Sequence, residues 1–241
     1  DTLTLHIHEE HSSEKIPPVE LPLDIIYEDE DLMVINKPAG MPIHPSMNNY
    51  YNSLANGLAY YFAQQNCPFV FRCINRLDRD TSGVLVFAKN ERMKRALQDH
   101  WEALVQQRGY VAAVEGDLPE PEGTVRSYLR ETATHLVYSG PRGKEGREAV
   151  THYRVLARGK GFSLVEVTID TGRKNQIRVH MQDLGCPVAG DRQYGAQSDP
   201  MGRLALHAHV LRFTDPRSKK TLELKASLPL GFQKLFPGAE Q

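Results

Sequence analysis

Three cysteines in 241 residues, Cys67, Cys73 and Cys186, with no Cys-x-x-Cys pair among them, offer neither a disulfide framework nor a zinc-binding pattern. They read as packed thiols. Long apolar runs are missing too: nothing approaches the roughly 20 continuous apolar residues that cross a bilayer. The opening "DTLTLHIHEE" lacks both the basic start and the apolar middle of a secretion signal, so a cytoplasmic protein is expected. No charge of one sign dominates. Lys and Arg number 29 against 30 Asp and Glu, a net charge of −1 that argues against a protein coating nucleic acid without selectivity. The phosphate-loop pattern Gly-x-x-x-x-Gly-Lys-Ser/Thr is also absent. The glycine-rich, basic stretch "SGPRGKEGRE" (139–148) leads into no apolar helix and is expected to be a mobile connection.

What is present is a globular composition, 40% hydrophobic and 24% charged, enough for one large or two modest cores. "DLMVINKPAG" reads as a short strand closed by Pro38 and Gly40. Ser53 is a good N-cap for a helix over "SLANGLAYYFAQQN". "GVLVFAK" reads as a buried strand. Asn90 caps a second helix with Met93, Leu97, Trp101 and Leu104 on its apolar side, Gly109 being the stop signal, and "YVAAVEG" follows as a strand. The second half reads as strands, "THYRVLA", "FSLVEVTID", "LALHAHVLRF" and "KTLELKA", interrupted by one helix from about Lys174 to Leu184 that ends at Gly185. The expected class is α+β, with a mixed, largely antiparallel β-sheet core and flanking helices.

Charge is unevenly spread along the chain. Glu9 to Asp31 holds nine acidic residues against Lys15 alone, whereas Arg72 to Arg95 holds seven basic residues against three acidic ones. "TGRKNQIRVH" (171–180) carries Arg173, Lys174 and Arg178 with no acid. If the two basic segments meet in space they form a cationic cleft suited to phosphates.

The stretch "NRLDRDTSG" sets Asp78 between Arg76 and Arg79 just before an apolar run. Taken alone it fits a structural ion-pair cluster in a polar turn. His207 and His209 lie on one side of a strand, a spacing some metal sites use, but no third ligand is suggested. His44 reads as a loop-ordering residue, and the acidic run Glu28 to Asp31 as solvated turn charge.

The wider context changes the weight given to Asp78. "RLDRDTSGVLVFAK" resembles the signature of the RluA-type RNA pseudouridine synthases position by position. "INKPAGMPIHPS", "YVAAVEG", "AVTHYRVL", "VEVTIDTGRKNQIRVHMQDLGCPVAGDRQYG" and "LALHAHVLRF" follow in that family's order, so the likeness covers about residues 24 to 230. Two positions depart from the commonest form, Asn75 and Asn175, each standing where His is frequent, and both bear on substrate contacts.

The resemblance implies two sheet subdomains flanking a central basic cleft, and an isomerisation that needs no cofactor and no metal. The bond from ribose C1′ to uracil N1 breaks, the base turns, and C5 of the same ring joins C1′. Asp78 is assigned the chemistry, either as nucleophile on the nucleoside or as base at C2′ to give a glycal-like intermediate. Arg178 is its matching cationic partner, expected within salt-bridge reach to favour the charged carboxylate. Tyr110 matches a tyrosine that stacks on the uracil and assists loss of the C5 proton. Leu206 aligns with the apolar floor of the pocket. Arg76, next to the carboxylate, is expected to fill the space the flipped base vacates or to hold a phosphate; Arg79, Arg173 and Lys174 complete the expected substrate contacts.

The expected partner is RNA, large-subunit ribosomal RNA before transfer RNA, bound by a monomer that touches no membrane. A factor that binds RNA or assists ribosome assembly without turnover is the rival from another class; a carboxylate that repels RNA speaks against it. Residues 24–241 are expected to be the catalytic domain. Residues 1–23, which begin without Met, resemble a linker carrying the remnant of an N-terminal RNA-binding module.

Overall fold

The structure, a computed structural model, describes residues 16–47, 49–143 and 146–238. The "LTLHIH" stretch and the rest of residues 1–15 lie outside them. Of the expected linker, residues 16–23 form neither helix nor strand. They run along the first helix, with Val19 N donating to Asn56 O (3.2 Å) and Asn56 Nδ2 to Pro17 O (2.8 Å).

Strands β1 (Ile25–Glu28) and β2 (Leu32–Lys37) pair antiparallel. Alternation along β2 sends Leu32 and Val34 into one apolar cluster and Met33 and Ile35 into another, the period of two that a strand buried on both faces imposes. Helix α1 (Leu54–Gln64) supplies Leu54 and Leu58 to the second cluster. Ser53 caps it in the reciprocal arrangement expected of a capping box, its N–H donating to Asn56 Oδ1 at 2.9 Å. Strand β3 (Ser82–Ala88) is buried throughout, and α2 (Glu91–Asp99), capped by Asn90, closes the first cluster with Met93 and Leu97.

The second helix is shorter than its spacing predicts. It stops at Asp99, a single turn α3 (Trp101–Leu104) follows, and strand β4 (Val105–Glu115) begins before Gly109. Pairing on both edges, with its neighbours over Gly109–Glu115 and Val105–Ala112, overrides the local helical pattern. Strands β5 (Glu122–Glu131) and β6 (Val137–Gly140) were not anticipated, because most β5 side chains are exposed or half-buried and charged residues interrupt the alternation. The expected connection over 139–148 is correspondingly shorter, since β6 ends at Gly140 and β7 (Arg147–Gly159) starts at Arg147; Lys144 and Glu145 lie outside the described residues.

Strand β8 (Phe162–Ile169) buries Val165, Val167 and Ile169 as its alternation predicts. Helix α4 runs over Gln176–Asp183, inside the expected range, bracketed by Asn175 at φ 54° and Gly185 at φ 76°. A 3₁₀ turn (Arg192–Tyr194), β9 (Leu206–Thr214), β10 (Thr221–Lys225) and α5 (Leu230–Leu235) complete the order.

The strands form one sheet in the order β1-β2-β3-β9-β4-β8-β7-β5-β6, with β10 also on β9. The α+β class with a largely antiparallel sheet is therefore as expected. The two expected subdomains are halves of this continuous sheet, and apolar packing crosses between them, since one cluster joins Val84 and Val86 of β3 to Leu211 and Phe213 of β9. The halves meet where β3 and β9 run parallel for two residue pairs, Ser82 with His207 and Gly83 with Ala208. Gly83 has φ 114°, and a Cβ there would lie 2.1 Å from Ala208 O, so only glycine lets the halves approach. Among the described residues no helix is long and apolar enough to cross a membrane.

Two histidines are locked in this framework. His207 Nδ1 meets Ser82 Oγ (2.8 Å) and Nε2 meets Ala226 O (3.3 Å); His180 lies between Ser127 Oγ (2.9 Å) and Thr151 Oγ1 (2.8 Å). His209 also binds Ala226 O, and among the described residues no group of three or more His, Cys, Asp and Glu is placed to hold a metal.

Two outcomes follow from this packing. Gly83→Ala should cost more than about 3 kcal/mol of stability, as backbone strain and a backbone clash combine; chemical denaturation within 1 kcal/mol of wild type would contradict the seam described here. Burial pulls both His180 and His207 down to about 4. Between pH 6.5 and 4 the unfolded chain therefore binds protons that the folded chain refuses, and stability falls on acidification by up to about 3 kcal/mol per ring. His180→Asn should lose less than wild type between pH 7 and 4.5 in urea titrations, and an equal loss would refute the assignment.

Candidate active site

Asp78 occupies the turn that leads into β3 at the seam. Three groups fix the backbone around it. Asn75 spans two β3 residues, accepting from Val86 N (2.8 Å) and donating to Val84 O (3.1 Å). Lys37, fully buried at the end of β2, donates to Pro38 O (2.8 Å), Met41 O (3.0 Å) and Arg79 O (2.7 Å). Gly40 N adds a second donor to Arg79 O at 3.0 Å. The peptide after Asp78 is thus clamped from the "KPAG" loop. Burial pulls the Lys37 amine down to about 8, with neighbouring Asp80 and Asp78 holding it up.

The Asp78 carboxylate faces a cavity of about 330 Å³, within the usual range of about 300–1,000 Å³ for small-molecule sites. Among the described residues nothing hydrogen-bonds or ion-pairs with it. Burial raises its pKa above the ordinary value, while Arg178, Arg76, Lys174 and Lys37 pull the other way through space.

This corrects the expected Asp78–Arg178 salt bridge. Arg178, on α4, grips Asp191 through two parallel bonds, Nε to Oδ2 (2.6 Å) and Nη2 to Oδ1 (2.7 Å). It also donates to Asn175 Oδ1 (2.9 Å) and Gln193 Oε1 (3.0 Å), and its guanidinium lies 4.7 Å from the centre of the Tyr194 ring. Asn175 reaches both ways, its Nδ2 donating to Tyr194 Oη at 3.1 Å. Arg178 is therefore aimed by its partners and acts on Asp78 without touching it.

Tyr110 and Arg108 project from β4 at a spacing of two, so both face the cavity. The Tyr110 ring packs against the apolar clusters of both half-sheets, and its hydroxyl has no hydrogen-bond partner among the described residues. Burial, with a smaller push from Asp78, drives it up to about 12. Arg108 donates to Asp170 O. Leu206, buried at the start of β9, lines the cavity, and its carbonyl accepts from Arg203 Nη2 (3.0 Å). The same nitrogen donates to Ser82 Oγ (2.8 Å), which passes its proton's bond to His207, so one buried chain ties Leu206 to the seam.

The remaining expected contacts divide. Arg76 lines the cavity, exposed and without an ion-pair partner among the described residues. Arg173 and Lys174 line it too, but Arg173 Nε donates to Glu148 O (3.0 Å) and Lys174 pairs with Glu131 (2.6 Å). Arg79 is not brought to this cavity; it pairs with Asp80 at 3.1 Å. The linear charge count also overstated the basic cleft. Of the seven cations between Arg72 and Arg95, six have carboxylate partners: Arg72, Lys94 and Arg95 on Glu91, Arg79 on Asp80, Lys89 on Glu28 and Arg92 on Asp31. Only Arg76 is left over.

Sequence reasoning missed Lys37, Asp191 and Arg203. A lone lysine closing an apolar strand was a signal for the first. Nothing local marks Asp191 or Arg203, since each acts on a partner from another part of the chain.

The family model described as RNA pseudouridylate synthase matches residues 31–183. An RNA pseudouridine synthase of Bacillus subtilis is 35% identical over 237 residues, covering 98% of this chain and 78% of that protein. A Zymomonas mobilis protein named ribosomal large subunit pseudouridine synthase D is 39% identical over 236 residues, covering 91% of this chain and 73% of its own. The solved structure of human RNA pseudouridylate synthase domain containing 1 superposes with a TM-score of 0.71 at 28% identity, covering 86% of this chain and 84% of that one. With the family model and these relatives spanning most of its length, the chain belongs to the RNA pseudouridylate synthase family, RluA type, as an RNA isomerase that converts uridine to pseudouridine.

Proposed function

We propose that this enzyme acts in the cytoplasm on uridines of large-subunit ribosomal RNA, with Asp78 as the reacting carboxylate. The observation that carries the role of Asp78 is a carboxylate facing a cavity with no partner among the described residues, in a site where Arg178, Lys174 and Lys37 are tied to other groups. Support for the RNA comes from relatives named ribosomal large subunit pseudouridine synthase D in Zymomonas mobilis and Neisseria meningitidis.

In this reading the target nucleotide leaves its stack and enters the cavity, where Arg76 takes the vacated place. Tyr110 lies against the uracil and Leu206 beneath it. Asp78 either attacks C1′, the ester it forms breaking when C5 joins C1′, or takes the C2′ proton and returns it at that step; the C1′–N1 bond breaks, the base turns, and a C5–C1′ bond forms. The C5 proton then leaves while N1 acquires one, so the product is an isomer. A tyrosine held at about 12 is protonated at neutral pH. Tyr110 therefore helps at C5 only by handing on its own proton as it accepts another, not as a standing base. Arg178 supplies positive potential without blocking the carboxylate.

Asp78→Asn should abolish tritium release from C5-labelled uridine in total RNA of cells lacking the gene. It should also raise the melting temperature, because a charge whose burial opposes it is removed. Release by the variant at the wild-type rate would end the role of Asp78, and modified sites mapping to transfer RNA alone would move the target. A second outcome concerns pH. The acid limb of kcat/KM should lie above the ordinary aspartate value, since the carboxylate must be ionised and burial raises its pKa. Arg76→Gln removes a favourable cation and should move that limb further up; a downward shift would contradict the electrostatics described.

A further inference from the structure

A second cavity, of about 550 Å³, lies on the far side of Arg178, which lines both. Its walls come from the "KPAG" loop at Ala39 and Gly40, from Gly190 to Gln193, and from Met201 to Leu204. Its charges are not equally available. Both Asp191 oxygens are taken by Arg178, and Asp80 receives two bonds from Arg79 (3.1 and 3.3 Å). Arg192, in contrast, is exposed, and its guanidinium has no hydrogen bond or ion pair among the described residues. Arg203 uses Nε on Leu204 O (2.9 Å) and Nη2 on Ser82 and Leu206, leaving Nη1 without a partner among the described residues. The cavity thus has its acids neutralised and two cations with spare donors. Gly40, Gly190 and Gly202 keep side chains off three of its walls. At Gly190 a Cβ would lie 2.4 Å from Arg203 O, so the loop carrying Arg192 packs directly on the backbone of Arg203.

We propose that this cavity is a subsite for the sugar-phosphate of a nucleotide adjacent to the target uridine, its phosphodiester held by Arg192 and Arg203. The proposal rests on the RNA reading above. An RNA strand with its uridine beside Asp78 must leave along some wall of that cavity. The Arg178 partition opens onto one where two guanidinium groups await an anion and no free carboxylate repels it. Arg178 then stands between target and neighbour, fixed by Asp191 so that neither pulls it away.

The test uses an RNA oligonucleotide spanning a uridine that wild type modifies. Single methylphosphonate linkages, each on a 2′-deoxy residue, are placed in turn around the target, with 2′-deoxy phosphate controls. Arg192→Gln should raise KM about tenfold, the scale of one charged phosphate contact, and make the dependence of log KM on log salt shallower by about 0.7. Neutralising one particular linkage should cost wild type about as much and cost Arg192→Gln nothing further. If every linkage and the substitution add independently, or if Arg192→Gln matches wild type in KM and salt slope, the subsite is refuted while the reaction stands. If wild type modifies no RNA uridine at all, the functional reading fails and the subsite falls with it. The exposed setting of Arg192 leaves folding unaffected, and Arg192→Glu, which reverses the charge, should give a larger rise in KM than Arg192→Gln.

Discussion

A carboxylate that must stay ionised in a partly buried cavity, yet stay free of any protein cation, constrains everything around it. A direct salt bridge would lower its pKa and occupy the oxygens the substrate needs. No cation at all would leave burial to raise its pKa unopposed. The fold resolves this by tethering positive charge elsewhere: Arg178 to Asp191, Lys174 to Glu131, Lys37 to three carbonyls. Each pulls on Asp78 through space and none reaches it, and burial still outweighs them, since its pKa lies above the ordinary value. The site accepts an electrostatic cost at neutral pH in exchange for an available anion, the kind of local strain that other parts of a structure must offset.

That requirement explains the architecture of the seam. Cations must be held by partners outside the cavity, and those partners come from distant segments: Asp191 lies 13 residues beyond Arg178, and Arg203 reaches Ser82 across 121 residues. The short parallel contact of β3 with β9 brings these segments together, and Gly83 permits the approach. Next to Gly83, Ser82 joins Arg203 to His207, so the "TSG" that follows Asp78 is structural in each position that faces the seam. Thr81 closes the turn through its N–H on Asp78 O, and the apolar run after it is β3 itself.

This division accounts for what was legible in the sequence. Asp78, Tyr110, Arg178 and Leu206 sit in contiguous motifs, and all four line the one cavity. The capped helices and the strands with strong alternation were equally readable. Strand β5 was not, because its exposed face is charged and its pairing with β7 gives it an identity that its own residues do not. The end of α2 was misplaced because β4 takes its conformation from neighbours on both edges. Local charge counts misled for a related reason: ion pairing is decided by proximity in space, and Glu28 and Asp31 neutralise Lys89 and Arg92 from 61 residues away.

The same pairing decides where RNA is attracted. With the net charge near zero and many cations paired with carboxylates, the surface carries little long-range field to gather nucleic acid from a distance. Around the two cavities, guanidinium groups without a carboxylate partner among the described residues stand on both sides of Arg178, Arg76, Arg108 and Arg173 on one and Arg192 and Arg203 on the other. In the proposed reading, contacts of that kind hold one strand segment in register, so that Asp78 acts on the nucleotide that the flanking contacts deliver to it. Selectivity on this account comes from how these arginines are spaced about one anion, while cations already paired with carboxylates add little attraction for RNA.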